Sequence, residues 1–182
     1  YSLPDSTPGS NYVFWHVKYI YQLNGIWQEP ITLYSYGPER LTAFPHMSIC
    51  VDSSGDAHIA ICPTRTEVEE EDGSSIPDVI HHTDLKYWNR HLGLITLENL
   101  PEQSGSIADP QIDCDDDNLP AISYIKGPVS RNLCFRYLGD QTWTGTPDTI
   151  DANVSLSRLR FDNYSSTFVV AWSRSNSDYN FY

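Results

Sequence analysis

Asp113, Asp115, Asp116 and Asp117 form a dense carboxylate cluster. Carboxylates packed so closely could hold Ca²⁺, a hard cation that takes oxygen ligands. A second acidic run, Glu67, Glu69, Glu70, Glu71 and Asp72, could do the same, but no EF-hand order or rigid glycine spacing accompanies it. Its composition reads as a solvated acidic loop. His81 and His82 follow that run. Neighbours on an extended chain point to opposite sides, so the two do not easily share one metal, although either could act as a base or a sugar-contacting donor. Trp88 and Tyr87 offer what a carbohydrate site uses, an aromatic face beside polar groups. No GxSxG, HExxH, P-loop or GxGxxG is present, and sequence alone assigns no catalytic residue.

These residues sit in elements that recur. "VDSSGDAHIAIC" from Val51, "CDDDNLPAISYI" from Cys114 and "FDNYSSTFVVAW" from Phe161 each read as apolar strand, Asp, polar turn, apolar strand. A second recurrent piece is a strand ending in aromatics, then a turn and a further strand: "VKYIYQLNGIWQEPITL" from Val17, "LKYWNRHLGLITLENL" from Leu85 and "LCFRYLGDQTWTGTPDTI" from Leu133. Period-two alternation is plain in Val17, Tyr19 and Tyr21 and in Leu133, Phe135 and Tyr137, and no useful run has helical periodicity. Trp27 and Trp143 take equivalent places after the third strand, which implies packing between outer strands. His58 falls at a scaffold position in the second strand.

The hairpin aspartates Asp52, Asp115 and Asp162 are 63 and then 47 residues apart, and the excess lies between the second and third strands of one unit. An inserted loop over 63–84 accounts for it. Units of this length holding four short strands predict an all-β fold of β-propeller blades, each of four antiparallel strands. The expected division is a partial blade over 1–45, a blade with the inserted loop over 46–106, a blade over 107–154 and a partial blade over 155–182. About three blades do not close a ring. The expected partners are therefore the rest of a longer propeller chain or further copies of this one, since open blade faces and strand edges are avoided.

"DSSGDAHIAI" followed by "DLKYW" resembles the repeat of sialidase-type, BNR-like β-propellers, with "DDDNLPAISY" and "NLCFRY" as a looser copy. The resemblance implies a scaffold. Sialidase chemistry is not implied, because the Asp-box S-x-D-x-G-x-x-W belongs to the third-to-fourth-strand turn, whereas Asp52 lies between strands one and two.

A net charge of −13 excludes nucleic acid as a primary partner, and no apolar run is long enough to predict membrane insertion. For the cysteines, a hairpin closed over Asp52–Ala57 puts Cys50 opposite Ile59 and leaves Cys62 about 10 Å out of register, too far for a disulfide. Cys50, Cys62, Cys114 and Cys134 are expected as buried free thiols. The sequons at Asn153 and Asn163 matter only in a secreted protein. Together these features predict a non-enzymatic recognition or structural module, extracellular or at the cell surface, that binds carbohydrate or a protein partner through loops on one face. The alternatives are a propeller-type polysaccharide hydrolase or lyase and a purely architectural subunit.

Overall fold

A computed structural model describes residues 2–5, 13–39, 45–69, 78–100, 106–127, 131–139, 142–143 and 145–174. The fold is all-β, and every sheet is antiparallel. Among the described residues there is no helix and no closed barrel or propeller. The first sheet joins β1 (Ser2–Asp5), β2 (Val13–Tyr19) and, beyond the short ribbon β3 (Gln22–Leu23) and β4 (Ile26–Trp27), β5 (Ile31–Glu39). Asn24 and Gly25 turn that ribbon with positive φ, as the Asn-Gly pair predicts.

The second sheet is a meander of β6 (His46–Val51), β7 (Ala57–Cys62), β9 (Asp78–Asn89) and β10 (Gly93–Asn99). Between β7 and β9, β8 (Thr64–Glu69) pairs along the first half of β9, from Thr64↔Thr83 to Glu69↔Asp78. The segment over 63–84 is therefore largely a two-stranded extension, not a loop. Its charged side chains do not prevent backbone pairing with a neighbour that is already extended. Glu70, Glu71 and Asp72 lie outside the described residues.

The third sheet repeats the meander with β11 (Ser106–Cys114), β12 (Pro120–Gly127) and β13 (Asn132–Gly139), flanked by β14 (Thr142–Trp143) and β15 (Asp148–Asp151). The fourth is the hairpin of β16 (Val154–Asp162) and β17 (Thr167–Arg174). In the second and third sheets the second strand lies between two others and is buried throughout, at Ala57–Cys62 and over 120–125. That is why those runs are apolar without alternation.

The sheets stack in chain order around three apolar layers. Val17 and Leu33 meet Ile59, Ile61 and Trp88 between the first and second sheets. Leu85, Tyr87, Ile112, Ile122 and Tyr124 fill the space between the second and third. Ile125, Leu133 and Val154 join the third to the fourth. Polar contacts between successive leading strands tie the layers together. The Ile112 N–H donates to Ser48 Oγ (3.3 Å, 64 residues apart), Ser157 N–H to Asp109 (2.7 Å, 48 apart) and Phe161 N–H to Asp113 (2.9 Å, 48 apart). Among the described residues β11 and β16 pair along one edge only, with β12 and β17, and these bonds give backbone N–H groups of both strands a side-chain acceptor.

Candidate functional site

Each hairpin aspartate is a structural cap. Asp52 Oδ1 accepts from the N–H groups of Ser54 (2.9 Å) and Asp56 (2.8 Å), and Asp115 Oδ1 accepts from Asp117 (3.0 Å) and Leu119 (2.8 Å) in the same geometry. The turns need one residue with positive φ, supplied by Gly55 (φ +87°) and by Asn118 (φ +65°). The second oxygen of the Asp52 and Asp115 caps reaches a ring, whereas that of Asp162 accepts from the Ser165 hydroxyl. Asp52 Oδ2 contacts His58 Nε2 at 3.1 Å, and His58 Nδ1 is 2.7 Å from the Tyr87 hydroxyl; Asp115 Oδ2 accepts from the Tyr137 hydroxyl at 2.8 Å.

Electrostatics follow from these contacts. Burial resists charge on the His58 ring, but the adjoining Cys114 sulfur and the Asp52 carboxylate outweigh it and raise its pKa. Burial likewise opposes the Asp52 charge, and the bonds from His58 and the turn N–H groups overcome it and lower its pKa. Desolvation pushes the Tyr87 hydroxyl far up, keeping it neutral.

A cleft of about 670 Å³ opens between the third and fourth sheets. The β11–β12 turn brings Asp115, Asp116 and Asp117 to its rim, with Asp148 at the start of β15 and Ser166 in the β16–β17 turn. Its floor is aromatic. Phe135 and Tyr137, two residues apart and therefore on one face of β13, meet Phe168 at ring-centroid distances of 5.9 and 5.8 Å, and Phe161 meets Phe168 edge-on at 5.0 Å. Among the described residues its lining contains no His, Cys, Lys or Arg. Chemically, this is a half-buried aromatic surface fringed by hydrogen-bond acceptors, a size and make-up that suit a small polyhydroxylated ligand.

The residues singled out from sequence go to several places. Of the aspartate cluster, Asp115 is engaged as a cap and Asp113 accepts from Phe161, while Asp116 and Asp117 are exposed at the cleft rim. Among the described residues no group of three His, Cys, Asp or Glu side chains converges as metal ligands. Tyr87 is fully buried between the second and third sheets. Trp88 is 8% exposed and packs in the first layer against Tyr19, 5.1 Å away. The edge of Trp88 borders a hollow of about 180 Å³ shared with Tyr19, Tyr21, Asp56 and Arg90. His81 and His82 pair with Thr66 and Arg65 along β9, and their side chains lie outside the described residues.

Trp27, expected to pack like Trp143, is 64% exposed on the β3–β4 ribbon, whereas Trp143 sits edge-on to Tyr87 at 4.9 Å. The ribbon carrying Trp27 forms a separate two-stranded sheet, which removes the neighbour that Trp143 has. The thiols also differ from expectation. Cys50 pairs with His58, so Cys62 lies opposite His46, and only Cys62 and Cys134 are buried, while Cys50 and Cys114 are half-buried. The aromatic floor was not read from sequence, since Phe161 and Phe168 looked like ordinary strand residues. The usable signal was period-two spacing of Phe135 and Tyr137 opposite a hairpin bearing two more Phe. Comparison with known protein families, with curated proteins and with solved structures finds no match to this chain.

Proposed function

We propose that this chain is a non-enzymatic recognition module, a segment of a β-propeller whose successive sheets are blades, and that it binds carbohydrate in the cleft between the third and fourth sheets. The observation that carries the binding role is the cleft itself. Four aromatic rings form one surface, and carboxylates that do not all serve the fold stand at its rim. A sugar meets such a surface with its C–H face on the rings and its hydroxyls donating to Asp116, Asp117 and Asp148. The propeller reading is supported by the stacking of equivalent strands in chain order, with side chains of β6 and β11 meeting backbone N–H groups of the next leading strand. In this reading the module works outside the cell, and the open ends of the stack meet further blades, from a longer chain or from other copies.

A glycan array tests the binding role. The wild-type chain retains a defined set of glycans without shortening them, and Phe168→Ala weakens retention about tenfold, the loss of one aromatic contact of about 1.4 kcal/mol. An array on which no glycan binds, with the protein shown folded, removes the carbohydrate reading. Depolymerisation that is lost on changing His81 or His82 replaces it with the enzyme reading.

A further inference from the structure

Cys50 and Cys114 lie on the leading strands of the second and third sheets, and their sulfur atoms face each other at 2.9 Å. The surrounding contacts fix that approach from both sides. On one side Ser48 Oγ receives the Ile112 N–H at 3.3 Å. On the other, Ser53 donates to Asn118 Oδ1 through its N–H (2.9 Å) and its hydroxyl (2.6 Å). The two strands are thus pinned before and after the thiols, so the pair is held together by the fold and not by a chance rotamer. A covalent S–S bond of about 2.05 Å requires closure by less than ~1 Å, within the reach of small rotations about the two Cα–Cβ bonds. Both residues are half-buried, so a small reagent has access, whereas Cys62 and Cys134 are sealed in the core.

We propose that Cys50 and Cys114 form a reversible disulfide that staples the second sheet to the third, made by exchange with a low-molecular-weight disulfide of the glutathione class. One protein sulfur, as thiolate, attacks the small disulfide, whose S–S bond breaks and releases one small thiol. The other protein sulfur then attacks the mixed disulfide and expels the second small thiol. Two protein thiols are oxidised and one small disulfide is reduced to two thiols; the protons shed by the protein are taken up by the leaving thiolates. The staple closes a loop of more than sixty residues that runs from the end of β6 through β7, β8, β9 and β10 to the end of β11. Reduction frees the sheets to separate without altering either one.

The test is disulfide mapping. Folded protein is incubated with oxidised glutathione, unfolded in an alkylating agent and cleaved at aspartate without reductant, which separates Cys50 from Cys62. The expected product is one cross-linked pair, Cys50 with Cys114, with Cys62 and Cys134 alkylated; dithiothreitol returns four free thiols. Oxidised protein melts roughly 5–10 °C above reduced protein. Cys50→Ser abolishes both the cross-link and the redox-dependent shift, and Cys62→Ser keeps them. Alkylation of all four cysteines, glutathione adducts without a cross-link, or a cross-link through Cys62 or Cys134 overturns the proposal. Mapping of the wild-type chain decides the matter even where a variant does not fold.

Discussion

His58 joins two polar partners from inside the core, Asp52 on one ring nitrogen and the Tyr87 hydroxyl on the other, and it is only 5% exposed. Its raised pKa and the lowered pKa of Asp52 set opposite ends of a pH window. For the histidine, folded and unfolded rings are both charged below the unfolded value of about 6.5, where its contribution is fully present; it is lost as pH rises through the higher folded value. For the aspartate the contribution is present above the unfolded value of about 3.9 and is lost as pH falls through the lower folded one. Urea midpoints measured from pH 5 to 9 should therefore decline on the alkaline side, and His58→Gln should flatten that decline. An unchanged slope in the variant assigns the dependence elsewhere. At this scale the sequence was only partly legible. It marks His58 as scaffold and Asp52 as a turn residue, both in keeping with their contacts. It cannot tell a Trp that lines a site from one that fills a core, because burial of Trp88 depends on a neighbouring sheet more than fifty residues upstream.

The hairpin is the element most fully specified locally. Its Asp cap, five-residue turn and positive-φ position are all present in "DSSGD". A Cβ on Gly55 meets nothing within 4 Å, so Gly55→Ala tests backbone strain without a steric clash. It should cost about 1 kcal/mol in urea unfolding, and a neutral result would mean the turn adopts another conformation. The contacts between elements are less local. Glu98 on β10 is paired with Lys126 and Tyr124 of β12 and lies 3.7 Å from Arg136 of β13, with the glutamate side chain 10% and the arginine side chain 8% exposed. Removing the acid takes the carboxylate from the Lys126 ammonium and from the Tyr124 hydroxyl at the layer, and Glu98→Gln should lower stability by about 3 kcal/mol. A loss below ~1 kcal/mol would show that water reaches the pair and screens it. The Cys50–Cys114 pair escaped sequence reading for the same physical reason. Ladder pairing follows the hairpin register, but face-to-face stacking depends on the rise and twist accumulated between sheets. The β8 extension escaped because charged residues lower strand propensity while an adjacent long strand supplies the pairing.

Stacking of the sheets does not cover every apolar strand surface. Both faces of the second and third sheets contribute to apolar layers, but Ile49 and Val51 on β6 are 54% and 63% exposed, and Met47 and Ile49 border an apolar hollow of about 220 Å³ against the first sheet. On the fourth sheet Leu156, Val169 and Trp172 are 55%, 50% and 44% exposed. Trp172 and Arg174 are held there by Asp151, whose carboxyl the Arg174 guanidinium, first among several donors, lowers to about 2. Apolar strand surface of this extent is seldom left open in water, and the edge N–H and C=O groups beside it add to the drive for association. If the chain is a propeller segment, these surfaces are where neighbouring blades rest. In isolation it should then self-associate, with a sedimentation coefficient that rises with concentration. Ile49→Lys places a charge on one surface and leaves the enclosed layers untouched. It should hold the chain monomeric at concentrations where wild type associates, with a thermal midpoint within about 2 °C, as expected of a surface change of under ~0.5 kcal/mol. A wild-type chain that sediments as a monomer throughout, with no change on substitution, would mean that these surfaces need no cover, and the propeller reading would lose its physical motive.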